Sequence, residues 1–92
     1  MEEEATGIAD EIAAAIERTE LPRVRGAVRE VDELCLRARL PGARIGAWVR
    51  VRAAGGQSAF AEVASCRGDE ARLVPLTAAD GVGPGDPVEA TG

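Results

Sequence analysis

Between residues 34 and 53 the chain carries two short alternating runs with a break between them. In the first, Leu34, Leu36, Ala38 and Leu40 fall on one side and Cys35, Arg37 and Arg39 on the other. A period of two places successive side chains on opposite faces, the mark of a half-buried β-strand. Pro41-Gly42 ends that run, because proline lacks an N–H for the ladder and glycine tolerates positive φ. The second run, residues 48–53, sets Val49, Val51 and Ala53 against Trp48, Arg50 and Arg52.

The segment in front has a different period. Ile8, Ile12 and Ile16 recur at i, i+4 and i+8, with Ala9, Ala13 and Ala15 beside them, which predicts an amphipathic helix over residues 7–18. Thr6 is the expected N-cap, and residues 1–4 are expected to be a frayed acidic tip. Asp10 and Glu11 early and Arg18 late suit the helix dipole. Pro22 pushes the residue before it out of the α region and marks the end of the element. The narrow stripe belongs to a helix that docks on something, either its own domain or a partner.

Residues 23–31 read as the first strand, with Val24, Gly26 and Val28 on one face and Arg25, Ala27, Arg29 and Val31 on the other. Gly26 inside it points to a bulge or the sharp coil of a small barrel. Asp32-Glu33 turns the chain into the 34–40 run, so these two strands form a hairpin. Gly55-Gly56-Gln57 is a second hairpin loop, leading into a strand over 59–65. Arg67-Gly68-Asp69 reads as a tight turn rather than an adhesion motif. A short strand over 71–76 contains Pro75, which marks an edge or a strand end. Residues 77–85 form a loop and 87–91 a last strand. With five or six short strands at close intervals, the fold predicted is all-β: a small six-stranded closed β-barrel preceded by one N-terminal amphipathic α-helix. Residues 1–20 are the helical segment and 21–92 the barrel domain.

Composition narrows what such a barrel can do. Its 92 residues make one small domain. Trp48 and Phe60 are the only aromatics, so the core must come from Val, Leu, Ile and Ala. A net charge of −5 weighs against nucleic-acid binding, as does the lack of stacking aromatics. Every basic residue is arginine, a bias of the kind a GC-rich genome produces. The acidic start lacks the basic residues of a signal peptide, and no apolar run reaches membrane-spanning length. Cys35 and Cys66 are read as free thiols in a reducing cytoplasm.

No constellation for chemistry emerges. There is no histidine, hence no Ser/His or Cys/His pair, and two cysteines cannot make a four-ligand zinc site. The carboxylates lie in turns or on solvent faces. The run Gly81-Val82-Gly83-Pro84-Gly85 lacks the following Lys-Ser/Thr and helix of a P-loop, and reads as a turn. No catalytic, cofactor-binding or metal-binding residue is assigned.

The ordered wording of the chain nevertheless resembles a known family. Arg25-Gly26-Ala27-Val28 with Val31, then Ala38-Arg39-Leu40-Pro41-Gly42-Ala43-Arg44-Ile45-Gly46, then Ala61-Glu62-Val63 carry it. Gly68-Asp69 with Leu73-Val74-Pro75-Leu76, and 81–88 with Thr91-Gly92, complete it. Together these resemble the N-terminal β-barrel domain of the type III secretion and flagellar export ATPases, relatives of the ATP synthase α and β subunits. The RARLPGARIG wording leans toward the export enzymes.

That resemblance implies a fragment of a proton-coupled protein-export ATPase whose P-loop, catalytic glutamate and arginine finger lie downstream, so ATP and Mg belong to the parent. It implies neighbouring copies packed barrel to barrel in a hexamer. It also implies a stator-like regulatory protein bound to the helix, in the bacterial cytoplasm at the periphery of the inner membrane. The expected partner-binding stripe is Ile8, Ile12 and Ile16. The expected subunit-interface residues are Arg37, Arg39, Arg50 and Arg52, facing carboxylates of a neighbour. The other reading is a free-standing barrel adaptor that binds a peptide or nucleic acid.

Overall fold

The computed structural model describes residues 2–18 and 24–90, with helix side chains over 7–17. One helix, α1 (Glu2–Arg18), precedes six strands: β1 (Val24–Val31), β2 (Leu36–Arg39), β3 (Trp48–Arg52), β4 (Ser58–Arg67), β5 (Glu70–Pro75) and β6 (Pro87–Ala90). The strands close into an antiparallel barrel in the order β1-β2-β5-β4-β3-β6. Closure leaves no free sheet edge.

The alternation seen in the sequence supplies the interior. Leu36 and Ala38 of β2, Val49 and Val51 of β3, and Ala61 and Val63 of β4 point inward and are buried. Val28, Ala71, Leu73, Val88 and Ala90 join them from the remaining strands. Leucine and valine alternating with alanine fill the narrow bore of a six-stranded barrel, as small barrels require. Isoleucine, expected in the core, is absent from it: Ile12 and Ile16 lie in a separate cluster under α1.

Two strands bend through bulges. The β1–β2 register slips between Val28 and Glu30, and the β4–β5 register between Val63 and Ser65. An extra residue at Arg29 and at Ala64 sharpens the coil that closes the barrel. The slip at Arg29 also moves Val31 off the face expected for it; Val31 pairs with Leu36 instead of sharing a face with Arg25. Gly26, the expected bulge site, has a different task. A Cβ there would stand 1.8 Å from the Arg39 carbonyl oxygen, so only glycine lets the end of β2 cross β1 this closely.

β2 and β3 are not neighbours, so Pro41-Gly42 is not a hairpin. The 40–47 segment crosses the barrel end, held by Leu40 N–H donating to the Asp69 carbonyl (2.8 Å) and Gly46 N–H to that of Val63 (2.8 Å). Gly42 and Gly46 adopt φ of 82° and 89°, which the two corners of this crossover need. The 76–86 loop crosses in the same way between β5 and β6. It is tied by Leu76 N–H to the Phe60 carbonyl (2.8 Å) and by Gly85 N–H to that of Val28 (2.7 Å). Ala43 and Ala47 from the first crossover, and Ala79 and Val82 from the second, pack onto the core as plugs.

The helix starts earlier than the sequence suggests. Thr6 lies inside α1 rather than at its N-cap, and residues 2–4 are helical rather than frayed. Glutamate is a good helix former, and negative charge at an N-terminus is favoured by the dipole. Leu34, expected inward, is 83% exposed, because the β1–β2 turn carries it past the barrel rim. The expected helix stop at Pro22 and the last residues of the final strand, Thr91 and Gly92, lie outside the described residues.

Candidate interaction surfaces

The barrel bore is filled, so whatever the domain engages meets its outer wall or its helix. Three outward-facing features stand out. They are the α1–barrel junction, the arginine rows and a set of exposed apolar side chains.

At the junction, α1 lies across β3. Ile12 and Ile16 are buried against Phe60, with Ala9, Ala13 and Trp48 packed around them. Phe60 and Trp48 point outward from β4 and β3, which puts the chain's two aromatics in the junction rather than in the core. Phe60 is fixed further by its N–H donating to Thr77 Oγ1 at 3.0 Å. Beside it, Arg50 is buried under the helix. Its Nη2 donates to Glu17 Oε1 at 3.3 Å, and its Cζ stands 5.7 Å from the Phe60 ring centroid. The ion pair ties the last turn of α1 to the barrel, while the cation–π contact orients Arg50 within it. The Arg50 Nε has no hydrogen-bond partner among the described residues.

These positions revise two sequence expectations. Ile8, Ile12 and Ile16 do not form one partner-facing stripe: Ile12 and Ile16 are covered by the chain's own barrel, and only Ile8, 48% exposed, remains outside. The stripe was narrow enough to be satisfied by the single ring of Phe60. Arg50 does not belong to an exposed row with Arg52, because the helix covers the Arg50 position and leaves Arg52 exposed.

Arg37 and Arg39 are exposed on β2, as the alternation implies. Their neighbours could not be read from the sequence. Arg39 sits opposite Glu70 of β5 and pairs with Asp69 at 3.5 Å. Arg37 sits opposite Arg72 of β5 and has Glu30 at 3.9 Å. The exposed apolar residues include Leu34, Ile45 (71%), Val74 and Leu76. Cys35 is half-buried and Cys66 exposed, and both are free; the Cys66 thiol donates to the Ala43 carbonyl at 3.4 Å.

No assembly for chemistry forms among the described residues. No group of three Cys, Asp or Glu side chains comes together as a metal site. The 81–85 segment is a turn in which Gly83 N–H donates to Asp86 Oδ2 at 2.8 Å, with Gly81 and Gly85 at φ of 82° and 92°. Among the described residues no helix is long and apolar enough to cross a membrane.

The family model of the ATP synthase alpha/beta family, beta-barrel domain, matches residues 23–92. The chain belongs to this family. Within it, the likeness extends to an ATPase of protein export. The assembled ATPase EscN from the type III secretion system of enteropathogenic E. coli matches at 33% sequence identity with a TM-score of 0.56. The match covers 66% of this chain and 14% of that one, so the chain spans a small part of that ATPase's length. No curated protein sequence matches significantly. The most family-like string, residues 38–46, becomes the crossover described above: Leu40 plugs the bore, Gly42 and Gly46 turn the chain, and the Arg39 carbonyl meets Gly26. In this ATP synthase alpha/beta barrel the steric tasks of the string fall on Leu40, Gly42 and Gly46, while Arg44 and Ile45 are exposed.

Proposed function

We propose that this barrel is the oligomerisation and regulator-docking domain of a protein-export ATPase of the type III secretion or flagellar kind. The observation that carries the reading is the filled, doubly plugged bore of a barrel that shares a third of its aligned residues with a type III secretion ATPase. A barrel with no room inside acts through its outside. Neighbouring copies pack side by side through exposed arginines such as Arg37, Arg39 and Arg52 against carboxylates of the next copy. A stator-like regulatory protein engages the exposed N-terminal half of α1 at Ile8, a helix-in-groove contact whose anchor is short because Ile12 and Ile16 are already engaged. ATP and Mg are handled elsewhere in the ATPase, at the cytoplasmic face of the inner membrane, and this domain neither binds nor hydrolyses ATP.

The test is made on the ATPase that carries this barrel. Deleting residues 1–92 should disperse its assembled state and abolish capture of the regulator, while basal ATP turnover persists. Assembly that survives the deletion contradicts the oligomerisation role. Ile8→Asp in the intact ATPase should weaken regulator capture without dispersing it. Phosphate release by the purified 92-residue chain would contradict the non-catalytic assignment.

A further inference from the structure

The chain's charge is unevenly placed. Residues 1–18 hold six carboxylate side chains and one arginine, whereas residues 19–92 hold ten of each. The net charge of −5 is therefore that of the helical segment alone. On α1, Asp10 and Glu11 are exposed while Ile12 and Ile16 turn to the barrel, so the acidic face points away from its own domain.

The β2–β5–β4 wall has the opposite sign. Arg37 on β2 and Arg72 on β5 are direct cross-strand partners, and both are exposed. Like charges facing each other across a ladder destabilise it. The chain does little to relieve this. Arg37 reaches Glu30 only at 3.9 Å, and neither Arg72 nor Arg67 has an ion pair among the described residues. On the next rung Arg67 lies opposite Glu70, which is already 4.0 Å from Arg29. An open groove of about 620 Å³ runs along this wall, lined by Arg37, Arg67 and Arg72, with Glu70 as its one carboxylate.

The acidic and basic faces cannot meet within one molecule. α1 packs on β3 and on Phe60 near the start of β4, whereas Arg37 lies on β2, three places from β3 in the closed order β1-β2-β5-β4-β3-β6, Arg72 on β5, two places away, and Arg67 at the opposite end of β4 from Phe60. Two different, complementary faces of one body make a head-to-tail contact, which closes into a ring or continues as a filament.

We infer that the acidic face of α1 in one copy docks on the Arg37–Arg72–Arg67 wall of the next copy. The inference rests on the oligomerisation reading and names the two faces that meet. The carboxylates of the incoming helix neutralise the opposed arginines, so a pairing unfavourable in the single chain becomes favourable in the assembly. Association is then steered by charge and screened by salt.

The experiment is sedimentation velocity on the 92-residue chain over concentrations up to about millimolar, at about 20 mM and about 500 mM NaCl. Two variants are compared, Arg37→Glu/Arg72→Glu on the wall and Asp10→Arg/Glu11→Arg on the helix, each checked for a native circular dichroism spectrum. The wild type should associate weakly at low salt and dissociate at high salt. Each variant alone should associate about tenfold more weakly or less. An equimolar mixture of the two should recover association to within about threefold of wild type, because the reversed helix now fits the reversed wall. Association unchanged by either reversal, or a mixture no tighter than its components, overturns this contact and leaves oligomerisation standing. A wild-type chain that stays monomeric throughout also overturns the contact, and oligomerisation is then decided by the deletion test on the intact ATPase.

Discussion

Replacing Ile16 by alanine tests how α1 is held and what is left when it lets go. Ile16 is fully buried, and with Ile12 it forms the apolar grip on Phe60. Burying one such side chain contributes roughly 1.5–3 kcal/mol. The Glu17–Arg50 pair adds at most about 1 kcal/mol, because Glu17 is 63% exposed and its charge is screened. The total grip is thus about 3–7 kcal/mol before the cost of ordering the helix, and a lone helix of this length is marginal in water. Ile→Ala at a buried site costs about 2–5 kcal/mol. That is enough to free α1. It should not unfold the barrel, because Ile16 belongs to a cluster separate from the core that fills the bore.

The readouts separate these outcomes. Trp48, the only tryptophan, is half-buried beside the junction, so its emission should shift to the red as α1 leaves. The helical circular dichroism at 222 nm should fall in parallel. Thermal melting of the remaining β-signal should stay cooperative. Ile16→Val, losing roughly 1 kcal/mol, should keep the helix docked. Unchanged Trp48 emission and ellipticity in Ile16→Ala would refute the grip assigned to this cluster. Loss of barrel and helix together would refute their separation into two units.

Three other outcomes follow from the same geometry. Gly26→Ala drives a methyl group into the Arg39 carbonyl, a backbone that cannot step aside, and should destabilise the barrel by roughly 3 kcal/mol, lowering Tm by more than 10 °C; a Tm within about 2 °C of wild type by calorimetry would contradict the close crossing. Arg72→Glu turns an opposed like-charge pair into an attractive one with Arg37 and should stabilise the isolated chain by about 0.2–1 kcal/mol in urea titration, while weakening its self-association; a destabilised variant would contradict the assigned register. Thr77→Val removes the acceptor for the Phe60 N–H and should cost about 1–2 kcal/mol, whereas Thr77→Ser should cost less than half of that in the same titration.

Much of the barrel was legible in the chain because it rests on local rules. Alternation assigned the inward residues of β2, β3 and β4. Turn chemistry placed the hairpins at Asp32-Glu33, at Gly55-Gly56 and at Gly68-Asp69. The family string over 38–46 was readable in part because Leu40, Gly42 and Gly46 answer steric demands that few other residue types meet. The helix stripe was equally plain, but its partner was not, since periodicity says that a face is apolar and not what covers it. Phe60 covers it, and one buried ring on β4 turned two of three expected partner contacts into internal ones.

The sequence by itself determined that this chain is a small all-β barrel with a helix in front, filled by small and aliphatic side chains because it has only two aromatics. The tertiary structure alone decided which strands are neighbours. Pro41-Gly42 looked like a local corner, yet it carries the chain over the barrel end, and β2 comes to lie beside β5. From that pairing follows the opposition of Arg37 and Arg72, while the tertiary packing of α1 on β3 and β4 is what places Arg50 beneath the helix and keeps its acidic face apart from those arginines. The physical reason is the range of the interactions. Backbone propensity and side-chain alternation act over a few residues and are written in the sequence, whereas register and electrostatic opposition depend on residues brought together from distant positions.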